Sequence, residues 1–176
     1  MNFKDIRQIT QTSYAVNVEF GYFVETIKRY IEQYGLNLDP DYQRGYVWTD
    51  KNKSSYIENM IRGVTTGRDI YLNCPGWMND FRGPMEVVDG KQRIHAISQF
   101  MNDMVHIFPD KANPFGYTLS QFTGNLPDET AYVIIHIANL SNRKDVLQWY
   151  IDLNTGGTVH SDGEIERVKR LLENEK

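Results

Sequence analysis

The sequence predicts one compact domain mixing strands and helices, of α+β or α/β class, with a helical C-terminal portion. Three observations lead there. Apolar runs of strand length alternate with segments whose apolar residues recur at helical spacing. The last part of the chain carries two successive helical stripes. The chain has 176 residues, enough for one real core, and no repeat, low-complexity tract or linker divides it.

Taken in order, Tyr14–Val18 reads as a short strand. From Phe20 the pattern turns helical, with Phe20, Phe23, Val24, Ile27, Tyr30, Ile31 and Tyr34 on one stripe and Gly35 as its stop. Leu36–Leu38 is a brief strand. A loop broken by Pro40 and Gly45 follows, rich in aromatics: Tyr42, Tyr46 and Trp48. Residues 55–63 read as a helix with Tyr56, Ile57, Met60 and Ile61 on one face and Gly63 at its end. Residues 70–73 are a strand, 75–84 a loop carrying Trp77 and Phe81, and 85–88 the next strand. A helix then runs to about Asp103, and Val105–Phe108 reads as another strand. Residues 109–131 are loop and turns. Tyr132–Ala138, the most apolar run, is expected to be a buried strand. A helix capped at Ser141 or Asn142 carries Val146, Leu147, Tyr150, Ile151 and Leu153, and ends at Asn154-Thr155-Gly156-Gly157-Thr158. Ser161 or Asp162 caps the last helix, with Ile165, Val168, Leu171 and Leu172 inward.

Composition narrows the function. Hydrophobic residues at 40% and charged residues at 24% are ordinary for a globular protein. A net charge of -4 argues against a DNA-coating protein, although a local basic patch is compatible with it. One cysteine, Cys74, excludes an internal disulfide framework and a Cys-rich zinc site, and no neighbour in sequence activates it. The four histidines (His95, His106, His136 and His160) lack metal-ligand spacing; His106 and His136 sit in strand-like runs and read as packing residues. No signal-peptide core or membrane-length run is present, so the expected compartment is the cytosol, without membrane association. There is no Gly-Lys-Ser/Thr phosphate loop and no Gly-x-Ser-x-Gly elbow.

Chemistry concentrates at Glu86–Ile97, where an apolar run ends at Asp89-Gly90 and a helix opens with Lys91, Gln92 and Arg93. The first turn of a helix has unpaired N–H groups and the positive end of the dipole, so it suits an anion. Arg93 shares a stripe with Ala96, Ile97, Phe100 and Met104, which turns it inward. An inward cation needs a partner: either an internal carboxylate or a ligand phosphate. Asp89 either caps the helix or binds magnesium or a ribose, and Gly90 allows close backbone approach. In Tyr42-Gln43-Arg44, the arginine is either a solvated loop residue or a second phosphate clamp, with Tyr42, Tyr46 or Trp48 as a base-stacking surface or as core. Asn154-Thr155-Gly156-Gly157 is a helix stop whose N–H groups can also form an anion nest.

Three stretches in this order and spacing, Asp41–Trp48, Val87–Ile94 and Asn154–Thr158, resemble the N-terminal domain of GmrSD-type restriction proteins, a family named for its Asp-Gly-Gln-Gln-Arg motif. The resemblance covers about Tyr14 to Val168. It implies a ParB/sulfiredoxin-like core, a small mixed sheet flanked by helices, that binds and hydrolyses a nucleoside triphosphate in defence against modified DNA. By position the motif falls on Asp89, Gly90, Gln92 and Arg93, with Lys91 where the family usually has Gln. The Tyr-Gln-Arg element falls on Tyr42, Gln43 and Arg44. Family members commonly continue into a His-Asn-His nuclease module; this chain ends at Lys176 without that motif, so residues 1–176 are expected to be one such domain with no nuclease domain, a stand-alone version or a truncated one.

The expected function is therefore nucleoside triphosphate binding, with magnesium-dependent hydrolysis as its extension. Asp89, Gln92 and Arg93 are the catalytic candidates, and Asp89 is the metal ligand. Tyr42, Gln43, Arg44, Trp48, Gly90, Lys91, Arg93, Asn154, Thr155, Gly156 and Gly157 are the nucleotide-binding candidates. The alternative is a non-catalytic regulatory or decoy module that captures a nuclease or restriction subunit. A DNA-binding or nicking protein ranks lowest, since net charge does not indicate DNA.

Overall fold

The computed structural model describes residues 2, 12–77, 79, 83–155 and 162–175. The elements are β1 (Thr12–Glu19), α1 (Phe20–Tyr34), α2 (Asp50–Ile61), β2 (Asp69–Asn73), β3 (Glu86–Asp89), α3 (Lys91–Met101), a 3-10 turn (Leu119–Gln121), β4 (Tyr132–Ala138), α4 (Arg143–Thr155) and α5 (Asp162–Asn174). The four strands form one mixed sheet in the order β1-β4-β2-β3. The outer pairs are antiparallel and the central β4–β2 pair is parallel. With five helices around a small mixed sheet among the described residues, the class is α+β.

Strand alternation divides the apolar residues between two faces. Ile70, Leu72, Val87, Val133, Ile135 and Ile137 turn to one side and are fully buried with Phe20 and Phe23 of α1, Ile57 of α2 and Ile97 and Phe100 of α3. On the other side, Val88 and Ala138 pack with Tyr42, Val146, Leu147, Trp149 and Tyr150 of the 143–155 helix and Ile165 and Val168 of α5. Gly35 ends α1 in the left-handed region (φ 62°), and Gly35 and Leu36 donate back to the Ile31 and Tyr30 carbonyls.

Several boundaries differ from the sequence reading, each for a physical reason. α2 starts five residues before Ser55, because Thr49 and Asn52 form a reciprocal capping box ahead of the apolar stripe. Leu36–Leu38 contributes only a single bridge, Asn37 with Glu86. Val105–Phe108 is not a strand. Its backbone is drawn to α2 side chains instead: Ser54 Oγ donates to the His106 carbonyl (2.6 Å) and Phe108 N–H to Glu58 Oε1 (2.7 Å). Only Ile107 pairs across, with Tyr117, and Asp103 and Phe108 hold left-handed backbones. α3 stops at Met101, so Met104 falls beyond the stripe and is 60% exposed. β4 is central, with Val133, Ile135, Ile137 and Ala138 fully buried, while Ile134 and His136 are half-buried. Phe81, Thr158, His160 and the predicted cap Ser161 lie outside the described residues. No helix among the described residues is long and apolar enough to cross a membrane.

Candidate functional site

β3 delivers the chain to Asp89, and Gly90 turns it into α3. Gly90 has φ 103°, a left-handed conformation that side chains resist. A Cβ there would also meet Ile70 Cγ1, Cα and Cβ at 3.1, 3.2 and 3.3 Å. The close approach that requires glycine is therefore to β2, within the fold. The first helical bond is Ile94 N–H to the Gly90 carbonyl (2.9 Å), so the N–H groups of 91–93 precede the helical ladder.

Arg93 resolves the question of its partner on the protein side. Its Nη1 donates to the Asp69 carbonyl (2.7 Å) and to Asp89 Oδ2 (3.0 Å). Asp89 makes no side-chain cap for α3; its carboxylate answers the cation placed at the positive end of the helix. Lys91 is buried, with its ammonium on the Asp39 carboxylate and the Arg44 carbonyl, and 4.9 Å from the centre of the Tyr46 ring. Gln92 holds the same loop from the other side. Its Nε2 donates to the Gly45 carbonyl (3.0 Å), and its Oε1 accepts from the Val47 and Trp48 N–H groups (3.1 and 3.2 Å). The first turn of α3 thus clamps the 39–48 loop.

That loop also ties itself to β3. Gln43 Nε2 donates to the Val87 and Val88 carbonyls (2.6 and 3.0 Å). Tyr42 is fully buried and donates to the Val87 carbonyl (3.1 Å) and to Glu86 (3.0 Å), with its ring edge-on to Tyr150. Burial and the Glu86 carboxylate push the Tyr42 hydroxyl pKa far up, so it stays a donor. Tyr42 is thereby core, away from the cavity wall, and offers no stacking surface. Tyr46 is 50% exposed and stacks on His95 at 4.1 Å.

These ties frame a cavity of about 430 Å³ lined by Gln43, Arg44, Trp48, Asp89, Gly90, Lys91, Gln92, Arg93, Tyr150, Asn154 and Glu164. Three stretches far apart in sequence meet there: residues 43–48, residues 89–93 and Asn154. Asn154 is buried and donates from Nδ2 to the Tyr150 carbonyl (2.6 Å). Thr155 is exposed at the helix end and does not line the cavity; Gly156 and Gly157 lie outside the described residues.

Residues 24–129 match the N-terminal domain of the GmrSD restriction endonuclease. The chain belongs to this family. No curated protein and no solved structure matches it. Membership relates this GmrSD N-terminal domain to restriction proteins, and the match spans the loop and the Asp89–Arg93 corner but stops before the residues that close the cavity from α4 and α5.

Two of those, Tyr150 and Glu164, were not singled out as site residues from sequence. Glu164 of α5 is buried; Tyr150 Oη donates to its Oε1 (2.7 Å), and Arg44 Nε lies 3.4 Å from its Oε2. Burial and this carboxylate raise the Tyr150 pKa, which keeps the hydroxyl protonated. The available signal was spacing: Glu164 precedes Val168 by four, on the inward stripe. The other surprise is His136. It is half-buried on the second sheet face, with Nε2 2.7 Å from Asp69 Oδ1 and its ring stacked on Tyr71 at 4.7 Å. It is thus hydrogen-bonded as well as packed, whereas His106 is exposed. Cys74 is fully buried, and burial raises its thiol pKa, in keeping with an inert thiol.

Among the described residues no group of three or more His, Cys, Asp or Glu is placed to hold a metal ion. Among the described residues, Asp89 and Glu164 are the carboxylates on the cavity wall. Magnesium at nucleotides is held by one or two carboxylates together with phosphate oxygens and water, so this donor set fits the ion only in company with phosphate.

Proposed function

We propose that this domain binds a nucleoside triphosphate in the cavity at the start of α3, as part of a restriction or defence system. The observation that carries the reading is the convergence of three separate stretches, with Arg44, Lys91 and Arg93 among them, on one concave wall at a helix N-terminus. The triphosphate lies between Arg44 and Arg93, over the N–H groups of the first turn. Trp48, on the same wall, offers the ring for the base. Gln43, Lys91 and Gln92 act mainly through the loop they hold, since their side-chain donors are engaged with backbone and with Asp39.

Hydrolysis is the extension of this reading. Phosphoryl transfer needs positioning and charge neutralisation more than covalent chemistry from the protein. Magnesium, held by Asp89 with the phosphates, supplies charge neutralisation when bound. Arg93 aligns the phosphate chain, and Gln92 keeps the loop bearing Arg44 against the helix. Calorimetric titration with each nucleoside triphosphate tests the binding. Arg93→Ala and Arg44→Ala are each expected to weaken it at least about tenfold, the loss of one charge-assisted contact. Wild-type affinity in both variants would sink the site assignment. Phosphate release by wild type and loss of it in Asp89→Asn test the hydrolytic step.

A further inference from the structure

We propose that Gln43 and Asn154 hold two carboxamide oxygens in the cavity that select the nucleotide through a hydrogen-bond donor on its nucleoside half, a sugar hydroxyl or a base N–H. The inference rests on the nucleotide reading above and deepens it. The two residues are far apart in sequence, one on the 39–48 loop and one near the end of α4, and both line the cavity.

Which end of each carboxamide is open follows from what its nitrogen does. A carbonyl oxygen only accepts, so a carboxamide bonded to one must turn its nitrogen toward it. Gln43 Nε2 donates to two carbonyls, those of Val87 and Val88, at 2.6 and 3.0 Å. Asn154 Nδ2 donates to the Tyr150 carbonyl at 2.6 Å. Among the described residues neither side chain makes a further hydrogen bond. Gln43 Oε1 and Asn154 Oδ1 are therefore acceptors without a protein partner there. Asn154 is only 6% exposed, and a polar group buried to that degree is ordinarily paired. Because each nitrogen is tied to backbone, each oxygen is held in place before a ligand arrives.

A triphosphate does not satisfy these oxygens. Ionised phosphate oxygens accept and do not donate, so they belong with the arginines and the N–H groups at the start of α3. An open acceptor calls for a donor. A nucleotide carries its donors on the sugar and the base, and Trp48 offers its ring to the base on the same wall.

The test is calorimetric titration of wild type, Asn154→Ala and Gln43→Lys. The probes are the four ribonucleoside triphosphates, their 2′- and 3′-deoxy counterparts, analogues with the base N–H donors removed, and inorganic tripolyphosphate. Lysine at 43 can still donate to the two β3 carbonyls but has no acceptor. Wild type is expected to bind at least one nucleotide about three- to tenfold tighter than its counterpart lacking one donor. Each variant is expected to bring at least one such ratio close to unity. Tripolyphosphate should bind Asn154→Ala about as tightly as wild type, and Gln43→Lys no more weakly. A ratio between deoxy and ribose forms assigns the sugar; one between base analogues assigns the base. Ratios near unity throughout the wild-type set overturn the proposal, as does a folded variant that keeps every wild-type ratio. A variant that loses tripolyphosphate and nucleotides by the same factor also overturns it, since its residue then serves phosphate. If tripolyphosphate binds as tightly as every nucleotide, no nucleoside is read and the proposal fails while the phosphate site stands. If no nucleotide binds, both readings fail.

Discussion

At the scale of single residues, Gly90 carries the strict requirement at the cavity. It combines φ 103° with Ile70 atoms 3.1 to 3.3 Å from where a Cβ would stand. Gly90→Ala is expected to destabilise the fold by about 1–3 kcal/mol in denaturant unfolding, through strain and displacement of β2; unchanged stability would show that the turn is not constrained. Glu86 offers a pH test. Burial raises its pKa despite the hydrogen bond from Tyr42. An acid with a raised folded-state pKa contributes stability below its unfolded pKa and loses it as pH rises through the folded value. Glu86→Gln, which still accepts from Tyr42, is therefore expected to melt above wild type at about pH 7, with the gap closing toward about pH 4. A gap independent of pH would contradict that assignment.

At the scale of elements, the first turn of α3 and the 39–48 loop form one unit. Gln92 makes three hydrogen bonds to that loop. Gln92→Ala is expected to cost about 1–2 kcal/mol. Amide exchange at Val47 and Trp48 should accelerate more than in the sheet; uniform acceleration would instead mean a global effect. Much of this scale was legible in sequence. The α1 stripe, the extent of β4 and the strand–turn–helix corner at Asp89 follow from periodicity and from Asp-Gly, because packing there agrees with local pattern. The polar first turn of α2 was not legible, since a capping box at Thr49 and Asn52 carries no apolar period. Residues 105–108 misled for the opposite reason: Val105 and Ile107 alternate like a strand, but the backbone partners are side chains of α2. At the site, the inward turn of Arg93 and its need for an anion were readable. That the anion is Asp89, four residues back in its own motif, is set by the local β3–α3 turn, whereas Glu164 closing the far wall depends on tertiary packing of α4 and α5.

At the scale of the molecule, the sheet separates two apolar layers, and the cavity lies where they meet. α3 comes from one layer, and Tyr150, Asn154 and Glu164 come from the other. In the proposed complex a triphosphate bridges this junction. A crystal structure with a non-hydrolysable nucleoside triphosphate and magnesium tests it most directly. Phosphates are expected within hydrogen-bond reach of both Arg44 and Arg93 at the start of α3, with the base against Trp48. A nucleotide bound elsewhere, or phosphates that leave Arg44 and Arg93 on their carboxylates, would contradict it.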